Sequence, residues 1–278
     1  MRMTNLFLAT SAAIRCSTVA LLLAGGISAA SAQNLDDGSA KILKAMSDYI
    51  AAQKSISLTF DSSIEVVTDK LQKIQFDSTG HVLLSRPDKL RATRTGGYAD
   101  VELVSDGKTV TLFGKNADTF AQTEAPRSLD ELVNRLRDNL SVSIPGADLL
   151  SMHAFDELTA DTVEGKHIGR GVVEGVECEH LAFRGSEADW QIWIATGPDP
   201  IPRKYVITSK DVAGSPQYTL VIRDWKANVQ PAADAFVFKD PDAKKKVAMD
   251  ALKNLDEVPA GMPAEVRNGP ARTTGEGK

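Results

Sequence analysis

Residues 101–113 read Val-Glu-Leu-Val-Ser-Asp-Gly-Lys-Thr-Val-Thr-Leu-Phe. Two runs rich in β-branched and apolar residues, Val101–Val104 and Thr109–Phe113, flank the pair Asp106-Gly107. An Asp-Gly pair adopts the positive φ angles of a type I′ turn, whose twist matches that of paired strands. The sequence therefore predicts an antiparallel hairpin at this position.

A helical segment follows this hairpin and one further strand, Thr119–Thr123. Ser128 and Glu131 have the spacing of a capping box, and apolar residues then recur at helical intervals as far as Leu140. Pro145-Gly146 ends the segment, and residues 147–152 are expected to add a helical turn. This insertion in a series of strands predicts a helical lid on a sheet.

Strand-like alternation continues on both sides of the insertion, and a helix is predicted first, at Leu35–Lys54. The other predicted strands are Ile56–Val66, Leu71–Asp77, His81–Arg86, Lys89–Thr95, Tyr98–Ser105, Gly171–Glu174, Val176–Phe183, Trp190–Ala195, Arg203–Ser209, Gln217–Trp225 and Phe236–Phe238. We predict an α+β fold of about eleven mostly antiparallel strands. Because so large a sheet curls, we expect a strongly curved sheet wrapped on the N-terminal helix and the mid-chain lid.

The first 32 residues have the features of a secretory signal peptide. Arg2 and Arg15 supply positive charge, and Ala30-Ser31-Ala32 is a small-x-small cleavage site. The apolar run Val19–Ile27 is much shorter than the about 20 residues that span a bilayer, which disfavours the alternative of an uncleaved anchor. We expect cleavage after Ala32 and a soluble periplasmic product.

The remaining chain is expected to form one domain over residues 33–255 and a disordered tail over residues 256–278, which is rich in Pro, Gly, Glu and Thr. The whole chain has 278 residues and a net charge of −5, which becomes −7 when the leader and its two arginines are removed. So acidic a chain disfavours nucleic acid as a partner. Only Cys178 remains after cleavage, which excludes an internal disulfide; we expect a monomer.

The sequence contains no recognised catalytic or metal-binding motif. The four histidines, His81, His153, His167 and His180, form no His-x-x-x-His pair, and no P-loop or Gly-x-Ser-x-Gly is present. We predict no catalytic residue, no metal and no cofactor. One alternative stays open: Cys178 and His180 share a strand face and suit a nucleophile pair, although a buried structural thiol is the favoured interpretation.

Several segments together resemble the periplasmic lipoprotein-carrier superfamily, which comprises LolA-like proteins and their LppX-like and RseB-like relatives. The hairpin Ser105–Phe113 and the strand Thr119–Gln122 carry the wider resemblance. Cys178–Arg184, Asp189–Ile194 and Pro202–Lys204 are similar to a narrower family of predicted periplasmic proteins in that group. The resemblance spans residues 35–240.

This resemblance implies an unclosed β-barrel, or half-barrel, whose concave face is covered by helices and encloses an apolar cavity for acyl chains. Carriers of this type act without cofactor or catalysis, whereas RseB-like relatives imply a second possibility, an envelope module that binds a protein segment. A lipid or acyl chain is the expected ligand, and an envelope protein is the alternative partner. The residues expected to line the cavity are Met46, Ile50, Phe60, Phe76, Leu84, Leu103, Leu112, Phe120, Leu132, Leu136, Leu149, Phe183, Trp190, Trp193, Tyr205, Tyr218 and Trp225.

Overall fold

A computed structural model describes residues 34–140, 144–239, 244–252 and 255–259. The predicted signal peptide and most of the predicted tail lie outside these residues. The helices are α1 (Asp37–Ala52), α2 (Leu129–Leu140) and α3 (Ala154–Thr159). The strands are β1 (Asn34–Leu35), β2 (Ser55–Val67), β3 (Lys73–Ser85), β4 (Lys89–Gly96), β5 (Asp100–Asp106), β6 (Thr109–Gly114), β7 (Thr119–Glu124), β8 (Thr162–Val173), β9 (Val176–Gly185), β10 (Ala188–Ala195), β11 (Pro202–Ser209), β12 (Gln217–Ala227) and β13 (Lys245–Lys246).

All thirteen strands belong to one sheet, in the order β1-β8-β9-β10-β11-β12-β2-β3-β4-β5-β6-β7-β13. Neighbouring strands are antiparallel except at the two ends, where β1 pairs with β8 and β13 pairs with β7 in parallel. Over the described ranges no pairing joins β1 to β13, so the curved sheet is an unclosed barrel. The predicted fold class is confirmed. The two-residue edge strands were not predicted because so short a segment shows no alternation.

The long hairpin of β2 and β3 differs from the prediction in its second strand. Leu71–Asp77 and His81–Arg86 were predicted as separate strands, whereas β3 is continuous and pairs with β2 from Ser85 to Lys73. Polar residues and Gly80 interrupt the apolar alternation here. Gly80 is nonetheless a strand residue, and it lies opposite Phe60 of β2 and Arg94 of β4. A Cβ atom at Gly80 would lie 2.3 Å from Phe60 Cζ, so the glycine makes room for that ring.

The predicted hairpin of β5 and β6 is confirmed. The two strands pair antiparallel, with Val101 opposite Gly114 at one end and Ser105 opposite Val110 at the other. Its turn is not the predicted type I′ turn, because Gly107 alone of the Asp-Gly pair has a positive φ, +89°. Asp106 instead closes the turn with its side chain. Its carboxylate accepts the backbone N–H groups of Lys108 and Thr109 at 2.8 and 2.7 Å.

Helix α1 begins two residues later than predicted, because Leu35 pairs with β8 and Asp36 is the N-cap. One Asp36 carboxylate oxygen accepts the Ser39 N–H at 2.6 Å, and the other accepts the His167 N–H of β8 at 2.9 Å. Leu43, Met46 and Ile50 form the fully buried stripe of α1 against the sheet. Asp36 therefore fixes both the start of the helix and its place beside β8.

Replacing Asp36 with Ala should lower the free energy of unfolding by about 1 to 2 kcal/mol, since two backbone donors lose their acceptor. Burial acts to raise the pKa of Asp36, but the backbone hydrogen bonds from Ser39 and His167 outweigh it and hold that pKa below its ordinary value. The stabilisation is therefore complete above about pH 4 and is lost as the pH falls through the folded-state pKa. Urea unfolding at neutral and acidic pH measures both effects. Asp37→Ala, in the same first turn, is the control; equal losses in the two variants would contradict the cap.

The structure corrects the predicted strand near the C-terminus and places the residues around the predicted domain boundary on the sheet. Phe236–Phe238 is not a strand; the Phe238 ring instead packs on Phe113 and Phe120, with centroids 5.7 and 5.2 Å apart. The predicted domain boundary at residue 255 falls inside a segment that packs on the sheet, in which Val258 is 5% exposed.

Candidate ligand-binding cavity

A cavity of about 190 Å³ lies between the concave face of the sheet and the segments that cover it. Its sheet wall is formed by side chains of β2 to β6 and β12, and its second wall by α2, the connection Ile144–Ser151 and Glu157 of α3. Leu255 and Glu257 of the C-terminal segment complete the lining. Leu, Val, Ile, Phe and Ala supply most of these residues, so the cavity is apolar.

Polar contacts cap the first turn of helix α2 and join its last turn to the connection that follows it. The predicted capping residue Ser128 accepts the Glu131 N–H through its hydroxyl oxygen at 3.2 Å, and Glu131 accepts the Arg127 N–H at 3.2 Å. Arg137 Nη2 lies 2.8 Å from Asp148 Oδ1, which ties the helix to the 3-10 turn Ala147–Leu150. The predicted mid-chain helix is thereby confirmed, and Leu129, Val133 and Leu136 line the cavity from it.

Gly146 permits the connection after α2 to approach the sheet. Its φ is +82°, and a Cβ atom there would lie 2.8 Å from Leu220 Cδ2 of β12. A side chain at this position would meet both a strained backbone conformation and a close neighbour. The glycine thus allows the cover to lie directly on the sheet.

The volume limits what fits without rearrangement. An apolar cavity of roughly 150 Å³ holds a benzene molecule, and pockets for larger ligands are typically about 300–1,000 Å³. At about 190 Å³, this cavity is slightly larger than one that holds benzene and smaller than a typical pocket for a larger ligand. A long chain would therefore need some covering residues to move aside.

A small polar cluster interrupts the apolar lining where the C-terminal segment meets the sheet. Arg94 Nη1 lies 3.4 Å from Glu257 Oε1, and the Ser62 hydroxyl lies 3.4 Å from Glu257 Oε2. Arg94 Nη2 also donates to the Leu255 carbonyl. Burial raises the pKa of Glu257 above its ordinary value, although the positive charge of Arg94 opposes this.

Seven of the seventeen residues expected at the cavity line it, and the other ten lie elsewhere in the fold. The seven are Phe60, Leu84, Leu103, Leu112, Leu136, Leu149 and Tyr218. Met46, Ile50 and Leu132 are core residues. Phe183 and Tyr205 contact the Trp190 ring, with centroids 3.8 and 5.8 Å away. Phe76 contacts Tyr98, Phe120 contacts Phe238, Trp193 stacks on His180 and Trp225 packs at the edge of the core.

The polar cluster was not predicted from the sequence. In β4, Leu90, Ala92 and Arg94 share the inward phase of the strand, so alternation alone places Arg94 on the apolar face. That charge at an inward position was the available signal. Glu257 offered none, because its contact with β4 joins residues far apart in the chain and falls beyond the predicted domain boundary.

Cys178 and His180 each contact other residues. The Cys178 thiol is fully buried and donates to the Val176 carbonyl at 3.4 Å. The His180 ring stacks on Trp193 with centroids 4.1 Å apart, and its Nε2 lies 3.0 Å from Gln191 Oε1. Burial raises the pKa of the Cys178 thiol above its ordinary value. This environment is that of a structural thiol, since reactive cysteines have a lowered pKa and are accessible.

Native protein should therefore react with a disulfide-exchange thiol reagent only as fast as the structure opens, because the thiolate is both scarce and buried. We expect Cys178 to label fully in denaturant and negligibly under native conditions. Absorbance of the released chromophore measures both. Rapid native labelling at neutral pH would contradict the buried environment.

Within the described ranges, no group of three or more His, Cys, Asp or Glu side chains is placed to hold a metal ion. No helix there is long and apolar enough to cross a membrane.

The family model described as "Predicted periplasmic protein (DUF2092)" matches residues 39–250, which is most of the chain. No curated protein matches the sequence significantly.

Solved structures are similar at low identity. LprF from Mycobacterium bovis is 11% identical, with a TM-score of 0.43 over 70% of this chain and 96% of that one. The lipoprotein LppX of Mycobacterium tuberculosis is 14% identical, with a TM-score of 0.36 over 72% of this chain and 100% of that one. A structure of the MucA/MucB complex of Pseudomonas aeruginosa is 12% identical, with a TM-score of 0.38 over 73% of this chain and 61% of that one. Resemblances at this level do not identify a ligand.

Proposed function

This chain belongs to the DUF2092 family of predicted periplasmic proteins, and from that premise we propose that it is a non-enzymatic binding protein that holds a lipid or another apolar ligand between the half-barrel and its helices. A role in the envelope, in moving lipids or lipoproteins, follows from such a ligand. The observation that carries the proposal is the apolar cavity between the concave face and α2.

The energetics of this cavity favour a chain-like apolar ligand. Transfer of a methylene group from water into an apolar site contributes about 0.8 kcal/mol. Leu84, Leu103 and Leu112 line the sheet wall, and Leu136 and Leu149 face them from the cover. A hydrocarbon chain between the two walls would contact apolar side chains on both sides, so its affinity would rise with its length.

Native mass spectrometry of protein purified from the periplasm of a membrane-containing host tests the proposal. We expect a bound mass at one copy per chain, which organic extraction releases and identifies as a lipid or another long apolar molecule. A protein that is ligand-free and also refuses added fatty acids would overturn the proposal.

The proposed location includes export and removal of residues 1–32. N-terminal sequencing of the protein recovered from the periplasm should begin at Gln33. A chain that retains Met1, or that stays in the membrane fraction, would contradict this part of the proposal.

A second candidate function, binding of a protein segment, is favoured by the outer edge of β8. Only Glu164 and Gly165 pair with β1, so in the described part of the chain the rest of this edge carries no neighbouring strand. Ile168 and Val172 on β8 are 56% and 70% exposed. An exposed strand edge with apolar side chains can accept an extended segment by β-augmentation.

A pull-down from envelope extracts separates the two candidates. Stoichiometric recovery of one envelope protein without lipid, and its loss in an Ile168→Lys variant, would favour the interaction module. Recovery of bound lipid from both the natural protein and the Ile168→Lys variant would favour the ligand-binding protein.

A further inference from the structure

Arg94 places a positive charge on the otherwise apolar concave face of the sheet. It follows Leu90 and Ala92 on the inward side of β4, and all three line the cavity. The Arg94 side chain is only 14% exposed. A buried guanidinium requires an anion or several hydrogen-bond acceptors beside it, because desolvation of an uncompensated charge is costly.

Within the chain Arg94 Nη2 donates to the Leu255 carbonyl, but the carboxylate that pairs with Arg94 is not well placed. The distance of 3.4 Å between Nη1 and Glu257 Oε1 exceeds the about 2.7–2.9 Å of a good charge-assisted hydrogen bond. Among the described residues the buried Arg94 Nε finds no hydrogen-bond partner. A bidentate carboxylate would use the donors of this guanidinium more fully than Glu257 does.

Glu257 reaches Arg94 because the segment Leu255–Pro259 lies against the cavity. Val258 is buried, Leu255 and Glu257 line the cavity, and this segment holds no regular secondary structure of its own. The segment thus places a carboxylate and two apolar side chains where the sheet offers a guanidinium and an apolar wall. A fatty acid has the same combination of groups.

We propose that Arg94 is the anchor for the carboxylate of a single-chain fatty acid, and that Leu255–Pro259 is a built-in occupant that such a ligand displaces. The ligand carboxylate takes the place of Glu257 at Arg94, and its hydrocarbon chain takes the space of Leu255 and Val258. This inference rests on the proposed function and names the class of ligand for the same cavity.

Displacement also accounts for the size of the cavity. With the segment in place, about 190 Å³ is free, which is less than a long chain fills. Withdrawal of Leu255 and Val258 would join their volume to it. The exchange is favoured because a ligand carboxylate at about 2.7–2.9 Å would pair with Arg94 more closely than Glu257 does at 3.4 Å.

The test compares laurate with dodecanol, which has the same chain length and no charge, by isothermal titration calorimetry on the full-length mature protein. The natural protein should prefer laurate. Arg94→Gln should weaken laurate binding roughly tenfold, because the laurate carboxylate loses its hydrogen bonds to the charged guanidinium. Dodecanol binding should be nearly unchanged, because dodecanol has no charged group to pair with Arg94. Arg94→Lys, which keeps the charge, should retain part of the preference.

Glu257→Gln is the second variant, and it tests the displacement even where Arg94→Gln fails to fold. Removal of the internal carboxylate should strengthen laurate binding several-fold and affect dodecanol less. The proposed role of Arg94 would be overturned if the natural protein bound laurate and dodecanol with equal affinity. It would also be overturned if the ratio of the two affinities did not change in Glu257→Gln and Arg94→Gln. Either result would leave the proposed function intact. Failure of both probes to bind would instead overturn the proposed function.

Discussion

Replacing Gly80 with Ala should lower the free energy of unfolding by about 3 kcal/mol, the upper end of the usual cost of overpacking a core. A Cβ atom there would lie 2.3 Å from both Phe60 Cζ and the Thr93 carbonyl oxygen. The ring could turn aside, but the carbonyl belongs to β4 and cannot move without disturbing the pairing of β3 with β4. Because Phe60 lines the cavity, the variant should also bind apolar ligands more weakly.

Gly97→Ala is the matched control, because it makes the same substitution on an exposed residue just after β4. Apart from its own residue and its two chain neighbours, no heavy atom of the described residues lies within 4 Å of a Cβ atom at Gly97, and its φ is not positive. Its free energy of unfolding should change by less than about 0.5 kcal/mol. Denaturant unfolding of both variants measures the difference, and a Gly80→Ala protein as stable as the control would refute the close approach of Phe60.

Filling the cavity from its helical side should abolish most ligand binding. Val133 on α2 is half-buried and lines the cavity, so Val133→Trp would project an indole into the space between the walls. Exclusion of roughly three methylenes of a bound chain, at about 0.8 kcal/mol each, weakens binding roughly fiftyfold. Calorimetric titration with laurate measures the loss.

Val172→Trp makes the same substitution on β8, at a residue that is 70% exposed and outside the cavity lining. Its affinity for laurate should match that of the natural protein. If the two tryptophan variants bind laurate equally well, the ligand does not occupy the space beside Val133.

Local signals predicted the parts of this fold that depend on neighbouring residues. Asp106-Gly107 predicted the β5–β6 hairpin because a turn lies within a few residues, even though the side chain of Asp106 closes it in another way. Ser128 and Glu131 likewise predicted the start of α2. The alternation of apolar residues predicted the strands, and their number predicted a curved sheet, whereas the unclosed barrel was implied by the family resemblance.

Features that depend on distant contacts were not predictable in this way. Gly80 interrupts the alternation of β3, and only its partner Phe60 across the sheet explains why a glycine stands there. Phe236–Phe238 alternates like a strand, but Phe238 is held by rings of β6 and β7 instead of by a strand ladder.

The candidate site shows the same division. Inward leucines of β3, β5 and β6 were expected at the cavity from strand alternation, and they line it. Several aromatic residues, among them Trp190 and Phe183, were also expected there. Trp190 and Phe183 instead stack on each other in the core, where an aromatic pair contributes stabilisation beyond the area that it buries.

The most direct test of the account locates the ligand. A fatty acid carrying a diazirine on its chain, photolysed on the mature protein and mapped by peptide mass spectrometry, should label residues of both walls, such as Leu103 and Leu112 on the sheet and Val133 on α2. Excess laurate should suppress these adducts. Adducts confined to other surfaces, such as the β8 edge, or adducts that excess laurate does not reduce, would contradict the claim that the half-barrel binds its ligand in this cavity.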